Sequence, residues 1–486
     1  MAEPACKIAI LGGGVTGLTA AYKIACARQA GAPVDEFLLE ADSRLGGLIQ
    51  TERMEGFSLE AGPDSFLTGK MEATGLLQEL GLASQLTTSN DASRRTYILW
   101  RGRLEPLPEG LAFFVPTRLS AVISSRLIPL SSKLKILWDA AVGHKAAEAA
   151  DESAADFVRR RLGAGVLHAI ADPLLAGVYG GDSEKLSARA VLPALVALDR
   201  QNGSLVRGML KAKRTAGPQQ PVFTTIMQGL DELPRALAAK LDARAGPQNS
   251  RLRLNHRVEA IELNSPDPAA DARAARYTLR CDEGKTCAAD AVIFALPAPV
   301  CARLLRPLDA ALADELSGIP YTPAVTVAIG YRAKPANLPT GFGFLVPRAE
   351  GRKLLACTFV QAKFRHRAPE GSALLRCFLG GAHHREILDW SDGEIISQVE
   401  RELREILGIT QQPLFHRIYR SPEAMPQYQV GHGERVARIQ QGIHRHPGMF
   451  LAGNAYQGVG IPDCIQSAKL AAEEALQFGR AAGNER

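Results

Sequence analysis

The sequence predicts an α/β protein that contains a parallel sheet of the Rossmann type. Three observations near the amino terminus support this prediction. The apolar run 7–11 has the length of a strand, a glycine-rich turn follows at 12–17, and a helical pattern begins at Leu18. A second strand is expected over 36–40, and it ends in the carboxylate of Glu40. Strand, turn, helix and strand in this order form the first part of a dinucleotide-binding unit.

Length and composition restrict the class of protein. A chain of 486 residues is longer than one hydrophobic core usually organises, so we expect two or three domains. A hydrophobic fraction of 46% with 22% charged residues excludes a disordered or fibrous chain. The net charge of +6 is too small to indicate a nucleic-acid partner, and we expect none.

Cysteine usage and hydropathy bear on location. The eight cysteines include no C-x-x-C pair, which favours reduced thiols in a reducing compartment. No secretion signal and no uncharged apolar run of membrane-spanning length are recognisable. We therefore expect a cytoplasmic protein that at most lies on a membrane surface.

The glycine-rich turn has the G-x-G-x-x-G spacing. In such a turn the first glycine allows the tight bend, the second lets a pyrophosphate approach the backbone, and the third lets the helix pack on the strand. Amides at the start of the helix then hold the phosphates, and Glu40 is placed to bind the adenosine ribose. The alternative is a glycine-rich turn without a ligand. The cofactor contacts predicted here are Gly12, Gly13, Gly14, Val15, Thr16 and Gly17.

The stretch after the second strand distinguishes FAD from NAD. The segment 40–47 runs from Glu40 into an Arg-x-Gly-Gly turn. This resembles the second fingerprint of flavin amine-oxidase-like proteins, in which the arginine and glycines follow the FAD pyrophosphate; a surface turn with a solvated arginine is the alternative. The loop at 62–65 is expected to bring backbone amides to the isoalloxazine ring. The residues assigned to FAD here are Ala41, Arg44, Gly47, Leu48, Gly62, Pro63, Asp64 and Ser65.

Later segments return to the same domain. Residues 252–263 and 277–281 are predicted to be paired strands, and 290–296 a buried strand. In flavoproteins with two dinucleotide-binding domains, a segment of this kind places a valine backbone against adenine, and Val258 is the matching residue.

The end of the chain completes the predicted FAD site. A strand is expected over 449–453, a loop over 454–460, and a helix that begins at Pro462 and runs to about Gln477. The amino terminus of that helix would stabilise negative charge on the reduced flavin. Because the first and last segments form one site, the middle of the chain must be inserted. The predicted contacts are Asn454, Val459, Gly460 and Ile461.

The chain as a whole resembles the oxygen-dependent, FAD-containing porphyrinogen oxidases. The matching stretches extend along nearly its entire length, and two of them, at 172–187 and 424–465, are characteristic of that family. These stretches are LGGGVTGLTAAY (11–22), LLEADSRLGG (38–47), EAGPDSFL (60–67), DPLLAGVYGGDSEKLS (172–187), VIFALPAPV (292–300), GFGFLVPRAEG (341–351), RAPEGSALLRCFLGG (367–381) and AMPQY…LAGNAYQGVGIPDCI (424–465).

The resemblance implies a Rossmann-type FAD-binding domain with an inserted α+β substrate domain and a mainly helical region. The implied segments are 1–89, 225–305 and 418–486 for FAD, 90–109, 200–224 and 306–417 for the substrate, and 110–199 for the helical region.

The resemblance also implies the reaction. Coproporphyrinogen III or protoporphyrinogen IX would lose six electrons in three rounds, with dioxygen as the acceptor and hydrogen peroxide as a product. No catalytic acid–base residue is needed, since the cofactor supplies the chemistry. Two other classes remain open: another flavoenzyme of the amine-oxidase fold, such as an amine oxidase or carotenoid desaturase, and a non-catalytic FAD-binding redox sensor.

Four residues are assigned to the tetrapyrrole by the same resemblance. Phe342 and Phe359 match side chains that sandwich the substrate, although each could equally belong to a core. Gly181 lies in a glycine-rich stretch expected to pass close to the ring. Several relatives pair an arginine with a propionate at a position that holds Thr96 here, and Arg95 precedes it by one residue. Arg95 is therefore a candidate only.

The helical region is basic and apolar. Nine Lys or Arg residues lie between Arg94 and Lys145, against three acids. Such a pattern is typical of a helix on an anionic membrane surface, and equally of a helical core with a solvated face. The pairs His383–His384 and His444–His446 are interpreted as surface histidines, and no metal is expected. The sequence does not determine the oligomeric state.

Overall fold

The computed structural model describes residues 5–142, 150–215, 221–245, 251–264 and 275–484. Lys145, one of the nine cations counted above, lies outside these residues. Among the described helices, none combines the length and the apolar composition needed to cross a bilayer.

The strands of the described chain are β1 (Cys6–Leu11), β2 (Val34–Leu39), β3 (Thr51–Met54), β4 (Phe57–Glu60), β5 (Phe66–Leu67), β6 (Leu86–Thr88), β7 (Thr96–Trp100), β8 (Arg103–Pro106), β9 (Leu111–Ala112), β10 (Val115–Pro116), β11 (Phe223–Ile226), β12 (Leu252–Arg253), β13 (Val258–Leu263), β14 (Tyr277–Cys281), β15 (Thr286–Ala289), β16 (Ala291–Phe294), β17 (Tyr321–Tyr331), β18 (Gly343–Leu345), β19 (Leu354–Phe359), β20 (Ala373–Gly380), β21 (Phe415–Pro426) and β22 (Met449–Leu451).

The helices are α1 (Val15–Gln29), α2 (Met71–Glu79), α3 (Leu119–Ser124), α4 (Leu130–Ala141), α5 (Ala154–Arg161), α6 (Ala164–Val166), α7 (Asp172–Tyr179), α8 (Ala188–Val191), α9 (Pro193–Asn202), α10 (Leu205–Thr215), α11 (Glu232–Ala245), α12 (Ala298–Leu305), α13 (Ala310–Ser317), α14 (Val360–Lys363), α15 (Asp392–Leu407), α16 (His432–Ile443) and α17 (Ile461–Asn484). A π-helical segment, Leu167–Ala171, joins α6 to α7.

A five-stranded sheet in the order β12-β2-β1-β16-β22 forms the nucleotide-binding domain. β1 pairs in parallel with β2 and with β16, and β16 pairs in parallel with β22. The alternation of side chains along β1 explains how both faces are covered. Ile8 and Ile10 pack against α1, α11 and α17 on one face, whereas Ala9 and Leu11 pack towards α12, α13 and α16 on the other. The Rossmann-type α/β fold is confirmed.

Local details differ from the sequence-based expectation. The segment 252–263 is divided between two sheets: β12 extends the parallel sheet beside β2, and β13 pairs antiparallel with β14. The closing helix α17 extends to Asn484, seven residues beyond the predicted end. Its buried alanines at 468, 471, 472 and 475 pack in the same core as α1, so tertiary packing supports the added length.

A seven-stranded sheet in the order β21-β17-β20-β19-β18-β7-β8 forms the second unit. Val325, Val327 and Ile329 of β17 point into a core that is shared with α15. Ala328, on the opposite face, packs against Phe57 of β4. Helix α7 covers the same sheet at β18 and β19. The nucleotide-binding domain and the helical region therefore both contact this sheet.

Helices α3 to α10 share one core around Phe114, Phe157 and Ile170. Helix α10 packs on α4 and α9, and Leu205 and Val206 at its start belong to this core. The structure thus groups residues 205–215 with the helical region, although the expected boundaries assign 200–224 to the substrate domain. Because β21 is one continuous strand, the expected boundary at residue 418 falls inside it.

A buried ion network fastens α4 to this core. The carboxylate of Asp139 accepts hydrogen bonds from Arg161 Nη1 at 3.0 Å, Ser204 Oγ at 2.8 Å and the amide of Val206 at 3.1 Å. Arg161 also contacts Asp199 at 2.7 Å. Removing one member of a buried pair leaves its partner without compensation, which costs several kcal/mol.

We expect Asp139→Asn to lower the free energy of unfolding of the apoprotein by about 3 kcal/mol, because Arg161 loses half of its buried counter-charge. Urea unfolding followed by circular dichroism measures the change. Asp314→Asn, in the exposed pair with Arg306, is the control and should cost less than about 1 kcal/mol. Equal effects of the two substitutions would contradict a structural role for the buried network.

Candidate functional site

The three glycines of the turn after β1 have different surroundings. Gly12 has a φ of +102°, and a Cβ there would lie 2.5 Å from the carbonyl oxygen of Ala295. A Cβ at Gly17 would lie 1.9 Å from the carbonyl oxygen of Gly12, so only glycine lets α1 pack this closely. A Cβ at Gly14 would meet no protein atom within 4 Å. The space beside Gly14 is therefore open to a ligand.

The start of α1 borders the same space. Gly14 is the N-cap of α1, no side chain caps this end, and the first turn contains no acidic residue. The amides of Val15 and Thr16 belong to this first turn, where N–H groups have no partner within the helix. Free amides at the positive end of a helix dipole attract an anion. This part of the structure fits the pyrophosphate of the predicted cofactor.

Glu40 lies at the glycine turn, directly after β2. Its Oε2 accepts a hydrogen bond from the amide of Gly13 at 2.5 Å, and its Oε1 accepts one from the amide of Asp42 at 2.8 Å. The backbone of the 255–258 segment runs alongside, because the amide of His256 donates to the carbonyl of Glu40 at 2.8 Å. The structure therefore brings Glu40, Ala41 and the segment of Val258 together. Their contacts to ribose and adenine remain a prediction.

The Arg-x-Gly-Gly turn packs on the glycine turn. The amide of Gly46 donates to the carbonyl of Gly13 at 2.8 Å, and a Cβ at Gly47 would lie 3.2 Å from the Cα of Gly14. The Arg44 side chain is exposed and donates to the carbonyl of Gly47 at 2.6 Å. Its charge thus lies next to the proposed pyrophosphate position.

The loop 62–65 follows the hairpin β3–β4. A Cβ at Gly62 would lie 2.0 Å from the carbonyl oxygen of Leu48, so a glycine is required where the two segments cross. In the described chain, the amides of Gly62, Asp64 and Ser65 donate to no protein group. Pro63 has no N–H. These free amides are consistent with the predicted contact to the flavin ring, which stays a prediction.

Buried charges surround this loop, and the sequence interpretation missed them. Lys363 Nζ contacts Asp64 Oδ1 at 2.9 Å, and Arg367 contacts Glu60 at 3.0 Å. Arg376 donates to the carbonyl of Gly62. One signal was present in the sequence: Arg376 is the single charged residue in the apolar strand β20. An isolated arginine in a buried strand indicates a partner elsewhere in the fold.

The closing loop lies between the nucleotide-binding domain and the helical region. Val459 packs against the helical core, whereas Ile461 packs into the core of the parallel sheet. The carbonyl of Asn454 accepts a hydrogen bond from the Tyr428 hydroxyl at 2.5 Å. The amide of Gly460 donates to Asp463 Oδ2 at 3.1 Å. The four closing-loop residues assigned to FAD therefore lie within the segment 454–461, which leads into α17.

A lysine side chain forms an ion pair with a carboxylate at the start of α17. Lys70 Nζ contacts Asp463 Oδ1 at 2.5 Å, although the two residues are almost 400 positions apart in sequence. Tyr179 lies near the same carboxylate. Burial, with a smaller contribution from Asp463, raises the pKa of Tyr179 to about 12. Its hydroxyl therefore stays protonated at neutral pH, and it donates to the carbonyl of Val191 at 3.0 Å.

The four residues assigned to substrate binding have different surroundings in the structure. Arg95 and Phe342 are neighbours, because the amide of Phe342 donates to the carbonyl of Arg95 at 2.7 Å. Phe359 has 0% exposure and packs with Val325 and other side chains in the core under α15. Its side chain therefore offers no surface to a substrate, and Phe359 is not part of the proposed pocket.

Gly181 also has a structural explanation. A Cβ at this position would lie 2.4 Å from Gln427 Oε1 and 2.8 Å from a methyl carbon of Leu186, so protein side chains crowd this glycine. Its neighbour Gly180 lies against Gly381, and the carbonyl of Gly180 accepts a hydrogen bond from the amide of Ala382 at 2.9 Å. The glycine-rich stretch thus fits closely against the seven-stranded sheet. Contact of Gly181 with a substrate remains a prediction.

Within the described ranges, no group of three His, Cys, Asp or Glu side chains is arranged to hold a metal ion. His384 instead pairs with Glu386 at 3.3 Å, and His446 pairs with Asp309 at 3.2 Å.

The parallel sheet, the glycine turn and the open space at Gly14 define a dinucleotide-binding protein of the Rossmann type. The comparison with known families then identifies the group. Residues 15–476 match the family described as flavin containing amine oxidoreductase, and the chain belongs to this family. The match confirms the predicted flavin cofactor, FAD.

Individual relatives match nearly the whole chain. A protein of Bacillus subtilis (strain 168) named coproporphyrinogen III oxidase is 33% identical over 97% of this chain and 98% of its own. A chloroplast protein of Arabidopsis thaliana named protoporphyrinogen oxidase 1 is 29% identical over 96% of this chain and 88% of its own. A solved structure from Exiguobacterium sp. 255-15, which carries a provisional protoporphyrinogen oxidase name, is 30% identical over the full length of both chains, with a TM-score of 0.84.

Substitutions at two glycines should separate cofactor binding from folding. Gly14→Ala adds a methyl group into the open space, so we expect a folded protein that binds FAD at least tenfold more weakly, a loss of about 1.4 kcal/mol. Gly17→Ala forces backbone atoms apart and should lower the melting temperature of the apoprotein. Flavin absorbance titration and thermal unfolding measure the two effects. If Gly14→Ala bound FAD as tightly as the parent, the proposed pyrophosphate position would be wrong.

Proposed function

We propose that this protein is a porphyrinogen oxidase of heme biosynthesis. In this proposal it uses FAD and dioxygen to oxidise coproporphyrinogen III to the porphyrin, with release of hydrogen peroxide. The observation that carries the proposal is the near full-length match to the Bacillus subtilis relative that bears this name. Protoporphyrinogen IX is the second candidate substrate, because the Arabidopsis thaliana relative is named for it.

The protein's contribution to such a reaction is binding, orientation and exclusion of water. When bound, FAD supplies the redox chemistry by taking electrons from the substrate and passing them to dioxygen. The glycine turn and α1 hold its phosphates, and the amides of the 62–65 loop are available to its ring. Helix α7 and the closing loop both contact the helical core, and in this proposal they would shield the site from solvent.

The substrate side of the proposal rests on Arg95 and Phe342. Arg95 is exposed and forms no ion pair with any described residue, so its guanidinium is available to a propionate. The Phe342 backbone lies beside that of Arg95, and its side chain is 8% exposed, so only a small part of its ring is open to a pyrrole. Coproporphyrinogen III has four propionates against two in protoporphyrinogen IX. A cation at the pocket therefore favours the more acidic substrate.

Helix α4 provides a surface for peripheral membrane contact. Ser132, Ile136 and Asp139 face the protein core, whereas the apolar side chains of Leu134 (59% exposed) and Trp138 (49% exposed) face solvent. The other exposed apolar residues nearby are Ile123, Leu130, Leu137 and Val142. We call this group the α4 apolar face.

An exposed apolar patch such as the α4 apolar face marks an interaction surface. The exposed cations Arg118 and Arg126 lie in the segment just before α4. Apolar side chains flanked by cations suit an anionic lipid surface. We therefore propose that α4 lies on a membrane of this charge.

The substrate proposal is tested with FAD-loaded protein and chemically reduced porphyrinogens in air, followed by porphyrin fluorescence. We expect kcat/KM for coproporphyrinogen III to exceed that for protoporphyrinogen IX by at least tenfold, equivalent to about 1.4 kcal/mol of transition-state binding. Peroxide should appear at three molecules per porphyrin.

The variant Arg95→Ala should raise KM for coproporphyrinogen III more than for protoporphyrinogen IX, with little change in kcat. Arg306→Ala, at an exposed arginine directly after α12, is the matched control. Turnover of an amine without any porphyrin fluorescence would reject the proposal, and no turnover of either substrate class would favour a flavin-binding sensor.

Membrane contact is tested by sedimentation with phospholipid vesicles. We expect the protein to bind vesicles that contain anionic lipid and to bind neutral vesicles weakly. Leu134→Ser should reduce binding several-fold because it removes an apolar group from the α4 apolar face. Leu470→Ser, at an exposed leucine on α17 that lies outside the α4 apolar face, is the control. Equal binding of both variants would exclude α4 as the contact.

A further inference from the structure

Five charged side chains, four of them buried and one, Asp64, 15% exposed, join the nucleotide-binding domain to the seven-stranded sheet. The two acids come from the segment around the 62–65 loop, and the three cations come from β20 and the segment between β19 and β20. They are Glu60, Asp64, Lys363, Arg367 and Arg376. Three cations against two acids leave this junction with a surplus of positive charge. We call the three cations the cation cluster.

The cation cluster holds the loop by its carbonyl groups. Arg376 donates to the carbonyls of Ala61 and Gly62, and Arg367 donates to the carbonyl of Asp64 at 3.0 Å. In a planar trans peptide the N–H points away from the C=O. The amides of Gly62 and Ser65, which share peptides with two of these carbonyls, therefore point away from the cations. These are amides that donate to no described protein group.

Lys363 fixes the side chains of the same loop. Its Nζ contacts Asp64 Oδ1 at 2.9 Å, Asp64 Oδ2 at 3.1 Å and Ser65 Oγ at 3.0 Å. Burial lowers the pKa of Lys363, and Asp64 offsets part of that effect. Burial alone would raise the pKa of Asp64, but the cation cluster outweighs it and holds that pKa well below its ordinary value. Asp64 is therefore anionic at neutral pH.

We propose that Lys363 is a positioning residue for the flavin. It fixes the 62–65 loop so that the amides of Gly62 and Ser65 meet the flavin ring, and its charge raises the reduction potential of the bound cofactor. A reduced flavin carries more negative charge than an oxidised one, and a buried cation at short range favours it. The proposal depends on the flavin cofactor and not on the identity of the substrate.

The test is the reduction potential of bound FAD, measured by dye equilibration without any porphyrinogen. Lys363→Met leaves a buried anion and should weaken binding of reduced relative to oxidised FAD at least tenfold, which lowers a two-electron potential by about 30 mV. Asp64→Asn leaves the cation and should shift the potential in the opposite direction. The double variant restores the charge balance and should lie close to the parent.

The opposite signs separate an electrostatic role from a merely structural one, since loosening the loop would shift both single variants in the same direction. Lys353→Met removes a lysine that is paired on the surface with Glu386 and should leave the potential unchanged. Shifts of equal sign, or shifts no larger than that of Lys353→Met, would overturn the proposal. If Lys363→Met did not retain FAD, Asp64→Asn would decide alone, and an unchanged or lowered potential would reject it.

Discussion

The site depends on the parallel pairing of β1 with β16 and of β16 with β22. These three strands come from the beginning, the middle and the end of the chain, with Ile8 beside Ala291 and Val292 beside Met449. Two hydrogen bonds fix the register of β1 and β16 at one end. The amide of Lys7 donates to Asp290 Oδ2 at 2.9 Å, and the amide of Asp290 donates to the carbonyl of Lys7 at 2.8 Å. Because the strands are parallel, the glycine turn and the closing loop leave the sheet at the same edge. A ligand there contacts both.

The sequence alone predicted those parts of the site that depend on local chemistry. Gly12, Gly14 and Gly17 have the surroundings expected from their spacing, although only Gly17 is restricted by backbone a few residues away, and Gly12 is restricted by Ala295 of a distant segment. Phe359 shows the limit of this reasoning. Alternation along a strand indicates that a side chain faces one side of a sheet, but not whether a helix or a substrate covers that side. Here α15 covers it.

The same limit explains the other differences. The division of 252–263 into β12 and β13 depends on the strand with which each part pairs in the folded protein. The hydrophobic pattern of a segment does not identify that partner. The buried charges around the 62–65 loop were missed because their partners lie about 300 residues apart in sequence. Buried ion pairs are costly to desolvate and are weak evidence for stability. The pair at Lys363 connects two units of this fold, whereas the pairs of Arg161 connect helices within the helical region, so each makes the arrangement of its own segments specific.

The order of the strands also has a consequence for synthesis. In a chain made from the amino terminus, the glycine turn emerges early, but β16 emerges only after almost 300 residues, and β22 and α17 follow near residue 450 and beyond. Until β16 emerges, β1 lacks its neighbour on that side, and the nascent chain exposes an apolar strand edge of the kind that chaperones bind. The strands that border the predicted cofactor site are thus complete only when nearly the whole chain has been synthesised.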